Sequence, residues 1–348
     1  MTVVDRRDRI AVVRAAVAVA IVFALLVGAL FAAVGSLNKE VYSAGGFVRQ
    51  YLDALARTDT SAALELDGVV PSTAQLEAAG LPTELPNTLL RASVLGDLTD
   101  ITLVSDVESA PDLHTVVYDF ELDGQPSSMQ FSVQHTGRFG GVFDSWRFAT
   151  SPIAALAVTV QHESVFTVNG LTLDTRAHAA ADAPASFNNS ATYLAFAPSV
   201  YTFRHDSTLL TAPPASVAVT TTGITEVSVD AAPNEAFTKQ VQDELNNFLD
   251  TECATQTVLQ PTGCRFGMDI NNRVLNVPTW SIAEYPVVTL TSGEVQFEMP
   301  DTVGQAHLNV KVQSLFDGSI ETRDEDVPFT MGLSVTIQPS GALAIQLH

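Results

Sequence analysis

Ala15 to Leu37 reads AAVAVAIVFALLVGALFAAVGSL, about 23 residues without a charge, and a helix rising ~1.5 Å per residue needs about 20 to cross a hydrocarbon layer ~30 Å thick. A helix in a soluble domain keeps one polar stripe for water, whereas this stretch is apolar on every side. It reads as a transmembrane helix over 15–37. Arg6, Arg7, Arg9 and Arg14 precede it and only Lys39 follows closely, so the bias in positive charge holds residues 1–14 in the cytoplasm as a tail. The expected location is the cell membrane, crossed once, with everything after the helix extracytoplasmic. A cleaved secretion signal is the rival reading, but its apolar region runs only ~7–15 residues.

The chain has 348 residues, 17 of them basic and 39 acidic; setting aside the four Arg and two Asp ahead of the span leaves 13 and 37, a net charge of −24 beyond it. A field of that sign repels phosphate polymers, and Lys39, Lys239 and Lys311 are the only lysines for counterion-releasing contacts, which argues against nucleic acid. Cys253 and Cys264 lie close together on the oxidising side and are expected to form a disulfide. No His or third Cys stands beside them at zinc-ligand spacing.

The remaining length exceeds one ordinary core, so two or three domains are expected. From 41 to 150, Phe47, Tyr51, Leu52 and Leu55 fall on one helical stripe, short Pro-punctuated helices follow, and strands of period two take over. Asp123-Gly124-Gln125-Pro126, read as a four-residue loop, pairs Phe120 with Met129, Tyr118 with Phe131, Val116 with Val133 and His114 with His135. Phe143, Trp146 and Phe148 make a final strand. From 152 to 230 the texture is Val- and Thr-rich, as in a small β-sandwich domain, with an Ala-rich loop around Ala177 to Ala185 and a break at Pro213-Pro214. There Val168-Asn169-Gly170-Leu171 predicts a tight hairpin with Phe166 opposite Leu173. From 233 to 348 a helix carrying Phe237, Val241, Leu245, Phe248 and Leu249 leads into strands around Tyr285–Leu290, Glu294–Met299 and His307–Gln313. A long alternating strand over Val327–Ile337 then turns back through Pro339-Ser340-Gly341, setting Val335 against Ile345 and Leu333 against Leu347. The expected class is α+β: an N-terminal transmembrane helix, a cone-like α+β domain, a small β domain and a second helix-plus-antiparallel-sheet domain.

Phe47-Val48-Arg49-Gln50-Tyr51-Leu52-Asp53-Ala54-Leu55-Ala56-Arg57, closed by Trp146-Arg147-Phe148, resembles nuclear transport factor 2-like domains. The middle segment, with Val168-Asn169-Gly170 and Phe196-Ala197-Pro198-Ser199-Val200-Tyr201-Thr202-Phe203, looks like a PEGA-type β module, with Ser199 where a Gly is usual. One anchor helix followed by such modules is similar to actinobacterial envelope proteins associated with teicoplanin resistance. The resemblance implies a cone whose pocket would be lined by Tyr51, Tyr118, Phe131 and Trp146.

The common hydrolase, zincin and nucleotide-binding signatures do not occur in the sequence. Ser36-Leu37-Asn38-Lys39 has the Ser-x-x-Lys spacing of penicillin-binding enzymes but sits at the membrane exit without the partner motifs. His114 and His135, read as opposed across a hairpin, are the candidates for a metal site or a proton shuttle. Asp324, Glu325 and Asp326 form an acidic cluster read as a solvated loop. The expected function is a non-enzymatic, membrane-anchored binding or scaffolding protein of the cell envelope, meeting a wall polymer or an envelope protein and needing no cofactor. The alternative is an exported enzyme using His114, His135 and Asp119 as acid and base groups.

Overall fold

The computed structural model describes residues 6–178, 186–338 and 340–348. The N-terminal tail is therefore described only from residue 6, and the Ala-rich loop beyond residue 178 and Pro339 lie outside the described residues. Helix α1 (Arg6–Glu40) contains the apolar stretch, and its most apolar window has a mean hydropathy of 2.9 with none of it covered by protein. Phe23, Leu25, Leu30 and Phe31 all point into open space. This is one helix long and apolar enough to span a membrane.

The sequence then folds as a leading helix and a meander. Ser43 caps α2 (Ala44–Ala56) by accepting from the Gly46 N–H at 2.9 Å, and Phe47, Val48, Tyr51, Leu52 and Leu55 form its buried face. The short helices α3 (Thr60–Glu65) and α4 (Thr73–Ala78) follow, capped by Asp59 and by a reciprocal Ser72–Gln75 box. Strands β1 (Leu98–Ala110), β2 (Leu113–Leu122), β3 (Gln125–Phe139) and β4 (Phe143–Phe148) make an antiparallel sheet in sequence order.

The expected β2–β3 register is corrected. Asp123 and Gly124 both take positive φ (49° and 74°), so the loop has two residues rather than four and Leu122 pairs with Gln125. Tyr118 therefore faces Met129, Val116 faces Phe131, and His114 faces Val133. A shift of two keeps each side chain on its expected face, which is why the buried set survives the wrong pairing.

The middle segment forms two sheets. One has the order β12 (Ala232–Pro233), β10 (Leu210–Val219), β9 (Ser199–Asp206), β6 (Val165–Val168), β7 (Leu171–Asp174); the other is β11 (Ile224–Asp230), β5 (Ile153–Gln161), β8 (Asn188–Phe196). The Asn169-Gly170 hairpin is as expected, with Phe166 opposite Leu173. Pro213-Pro214 does not end its strand: β12 pairs only with Leu210 and Thr211, so the prolines lie where no ladder donor is needed on that side, and a register shift between Ala212 and Ala215 absorbs them. β11 runs parallel to β5, a pairing between distant segments. The apolar core of the first sheet continues into this one, and the fully buried Tyr51 hydroxyl donates to the Ala197 carbonyl at 2.8 Å.

Asn234 caps α5 (Glu235–Phe248), whose Phe237, Val241 and Leu245 are buried. Cys253 and Cys264 form the expected disulfide. The last sheet holds β13 (Arg273–Val274), β14 (Thr279–Glu284), β15 (Thr291–Ser292), β16 (Phe297–Gln313), β17 (Ile320–Ile337) and β18 (Leu343–Leu347). Val335 faces Ile345 and Leu333 faces Leu347, as expected. Two expectations fail. Tyr285–Leu290 is not a strand, because the Gln242 amide takes its ladder role, donating to the Pro286 carbonyl (3.0 Å) and accepting from the Val288 N–H (2.9 Å). Of the strand expected at Glu294–Met299 only Phe297–Met299 is extended, and it runs on into the strand expected at His307–Gln313 as one β16, with a bulge between Met299 and Thr302 beside Pro300. Replacing both cysteines by serine should lower stability by about 3 kcal/mol on loop-closure grounds; urea unfolding of the oxidised chain against the double variant measures it.

Candidate functional site

Three of the four aromatic residues assigned to a pocket belong to the buried apolar core. Tyr51, Tyr118 and Phe131 are buried, with the Tyr51 ring 6.3 Å from Phe131 and 5.4 Å from Phe148. The Tyr118 hydroxyl donates to the Gly45 carbonyl at 2.9 Å, and burial, ahead of the nearby charges, pushes its phenol up to about 12. Trp146 is half-buried at the margin of that core, its indole N–H donating to the Tyr42 carbonyl at 2.7 Å.

His114 and His135 each pack against Trp146, with ring centroids 4.8 and 5.1 Å from its own. His114 Nδ1 is 2.6 Å from Asp106, whose other oxygen accepts from the Gly45 N–H at 2.9 Å. His135 lies 3.5 Å from both Asp112 and Asp144. Among the described residues no group of three or more His, Cys, Asp or Glu is placed to hold a metal ion. Asp119 alternates to the opposite side of β2 from His114 and is exposed, so the three acid and base candidates do not converge.

The acidic cluster is part of β17 and not a loop. His307 bridges Asp324 (2.7 Å) and Asp326 (2.8 Å) across the ribbon, and Glu325 takes Arg323 at 3.2 Å. The bonds to Asp326, then to Asp324, raise the His307 pKa. A raised histidine stabilises fully below its unfolded value of about 6.5 and loses that contribution as pH rises through the folded value. The Tm advantage of the native chain over His307→Gln should thus be larger near pH ~6 than near pH ~9.

A further concavity has a different floor, the outer face of β11, β5 and β8. Residue alternation and register place side chains there in rows: Ile224, Ala155 and Leu194; Glu226, Ala157 and Thr192; Ser228, Thr159 and Ser190; then Asp230, Gln161 and Asn188. The short side chains on central β5 leave a trough of about 970 Å³ over the second and third rows, with Pro82, Leu85 and Pro86 as one wall. That wall is tied down where the Pro86 carbonyl accepts from the Leu194 N–H at 3.0 Å. A second hollow of about 260 Å³ covers the first row, closed by Leu76, Leu81 and Ile153. Four rows at the strand repeat extend ~20 Å. No family model, curated protein or solved structure matches the chain.

The trough therefore stands on its own chemistry. It is apolar at one end and lined by hydroxyl and amide groups beyond, and among the described residues Glu226 is the single ionised side chain lining its larger part. Such a surface can hold an extended chain by hydrogen bonds along its length and an apolar group at its end. Sequence reading missed it because Ala155, Ala157 and Thr159 look like ordinary strand residues; the run Ala154-Ala155-Leu156-Ala157, small where strands usually carry bulk, was the available signal.

Proposed function

We propose that the chain is a membrane-anchored extracytoplasmic binding or scaffolding protein of the cell envelope, fixed by α1 and holding an extended, peptide-like chain in the trough on β11, β5 and β8. The observation that carries this reading is the row pattern itself. Three strands present one apolar row and then three rows of mostly polar side chains, four in register along ~20 Å, a geometry that suits a linear ligand. The amide- and hydroxyl-bearing ligand would come from wall polymer or from a neighbouring envelope protein. Glu226 adds a preference for a ligand with an amine near its middle. The likeness of the first unit to nuclear transport factor 2-like domains fits a scaffold that brings α2 and its sheet against this platform.

The test uses the full chain in nanodiscs, incubated separately with isolated peptidoglycan and with peptides tiled from envelope proteins. Hydrogen exchange should slow at residues 155–161 and 190–194 in the arm that binds. Retention of either probe with unchanged exchange along these strands, or retention of neither, would remove the trough from the function.

A further inference from the structure

The turn between β3 and β4 is fastened to the end of α1. The Asn38 side-chain amide donates to the Val142 carbonyl at 2.7 Å, and its oxygen accepts from the Asp144 N–H at 3.4 Å. Tyr42, just beyond the helix, stacks on Phe143 with centroids 4.5 Å apart and accepts from the Trp146 indole. Asn38 directly follows Leu37, the last residue of the uncharged stretch. The turn thus lies at the level where α1 would leave the hydrocarbon.

At that level the chain exposes apolar side chains. Phe139 is 74% and Val142 42% accessible, and Leu37 on α1 and Val41 just after it are also exposed. Gly140 and Gly141 both take positive φ (59° and 75°), a tight reversal that glycine makes at little cost. Arg138, bound to Asp144 at 3.0 Å, and Lys39 lie at the same end. Tyr and Trp concentrate at the boundary of a bilayer, where an aromatic body meets lipid and a polar tip meets water, and basic side chains there attract lipid phosphate.

We infer that the tip Phe139-Gly140-Gly141-Val142 is a second membrane contact, inserting Phe139 and Val142 at the boundary between headgroups and acyl chains on the side where α1 emerges. This rests on the reading of α1 as a membrane span. Its occupant is a lipid surface, because the helix that defines the bilayer's edge is bonded to the tip. The consequence is orientational: two attachment points on one side fix the tilt of the first sheet, where a lone helix followed by a free linker would let it swing.

Since Cys253 and Cys264 are joined, a single introduced cysteine gives one site for a nitroxide. Labels at Phe23→Cys, Phe139→Cys and Lys239→Cys, in the full chain in nanodiscs, are compared for collision with oxygen, which partitions into lipid, and with a water-soluble nickel chelate. Phe23 should read deep lipid and Lys239, on an exposed helix face, should read water. Phe139 should show a several-fold excess of oxygen over nickel collisions relative to Lys239, at shallow depth. A Phe139 label as wet as Lys239, with Phe23 deep, overturns the contact while the span stands. A wet Phe23 label overturns the span itself, and the contact with it. Because Phe139 is a surface residue, its replacement leaves the fold intact, and unchanged circular dichroism of the labelled chain checks this.

Discussion

Tyr51→Ala is expected to lower the unfolding free energy by about 3–5 kcal/mol, the cost of emptying a fully buried aromatic site. Tyr51 is completely enclosed, its ring edge-on to Phe131 and Phe148, and its hydroxyl joins α2 to the Ala197 carbonyl in the middle segment. Truncation both opens a cavity and strands that carbonyl. Tyr51→Phe keeps the ring and should cost about 1 kcal/mol, the net value of a typical hydrogen bond. Since the core runs continuously from Ala44 to Val229, the alanine variant should lose hydrogen-exchange protection in β2–β3 and in β5–β8 together. Loss confined to the first sheet would show that the two segments are stabilised independently.

The same burial sets an alkaline limit. Desolvation is the largest cause raising the phenols of Tyr51, Tyr118, Tyr193 and Tyr201, and a neighbouring Tyr201 adds to the effect on Tyr51. A tyrosine that holds its proton more tightly when folded contributes stability below its unfolded pKa of about 10 and loses it as pH rises beyond that value. Stability should therefore fall steeply above pH ~10, and less steeply in Tyr51→Phe. Melting curves across that range measure the difference.

How much of this was legible in the sequence depends on the range of the interaction that decides each feature. The membrane-length helix follows from local composition alone. The buried faces of β2, β3 and β17 follow from alternation, and the Asn169-Gly170 hairpin from the backbone freedom of two adjacent residues. Register at Asp123-Gly124 was misjudged because Pro126 looked like part of the turn, whereas an edge-compatible proline can open the returning strand. Tyr285–Leu290 has strand-like alternation, but its partner is a side chain on α5, which no local pattern announces. The trough was the least legible feature. Its rows exist only once β11 lies parallel to β5 and β8 antiparallel to it, and three separated stretches of unremarkable Ala, Ser and Thr residues become one surface through that topology. His114 and His135 are the opposite case, a conspicuous residue type whose neighbourhood is set by Trp146 and the carboxylates of Asp106, Asp112 and Asp144.

Filling the trough should weaken binding sharply without unfolding the chain. Ala157 sits in the second row between Glu226 and Thr192, on the central strand, with its methyl facing the open space. Ala157→Trp places an indole where the ligand backbone would lie, and aromatic residues are tolerated on strand surfaces, so Tm should stay nearly constant. Affinity for the bound probe should drop at least about tenfold, or ~1.4 kcal/mol. Thr159→Val removes one hydroxyl at nearly constant volume in the next row and should cost roughly 0.5–1.5 kcal/mol, the net worth of one hydrogen bond. Glu226→Gln should weaken amine-bearing probes and leave neutral ones alone, because it removes charge while keeping shape. This ordering separates a trough that is occupied from a sheet face that is merely solvated. If Ala157→Trp binds as the native chain does, the ligand lies elsewhere, whatever the other two variants do.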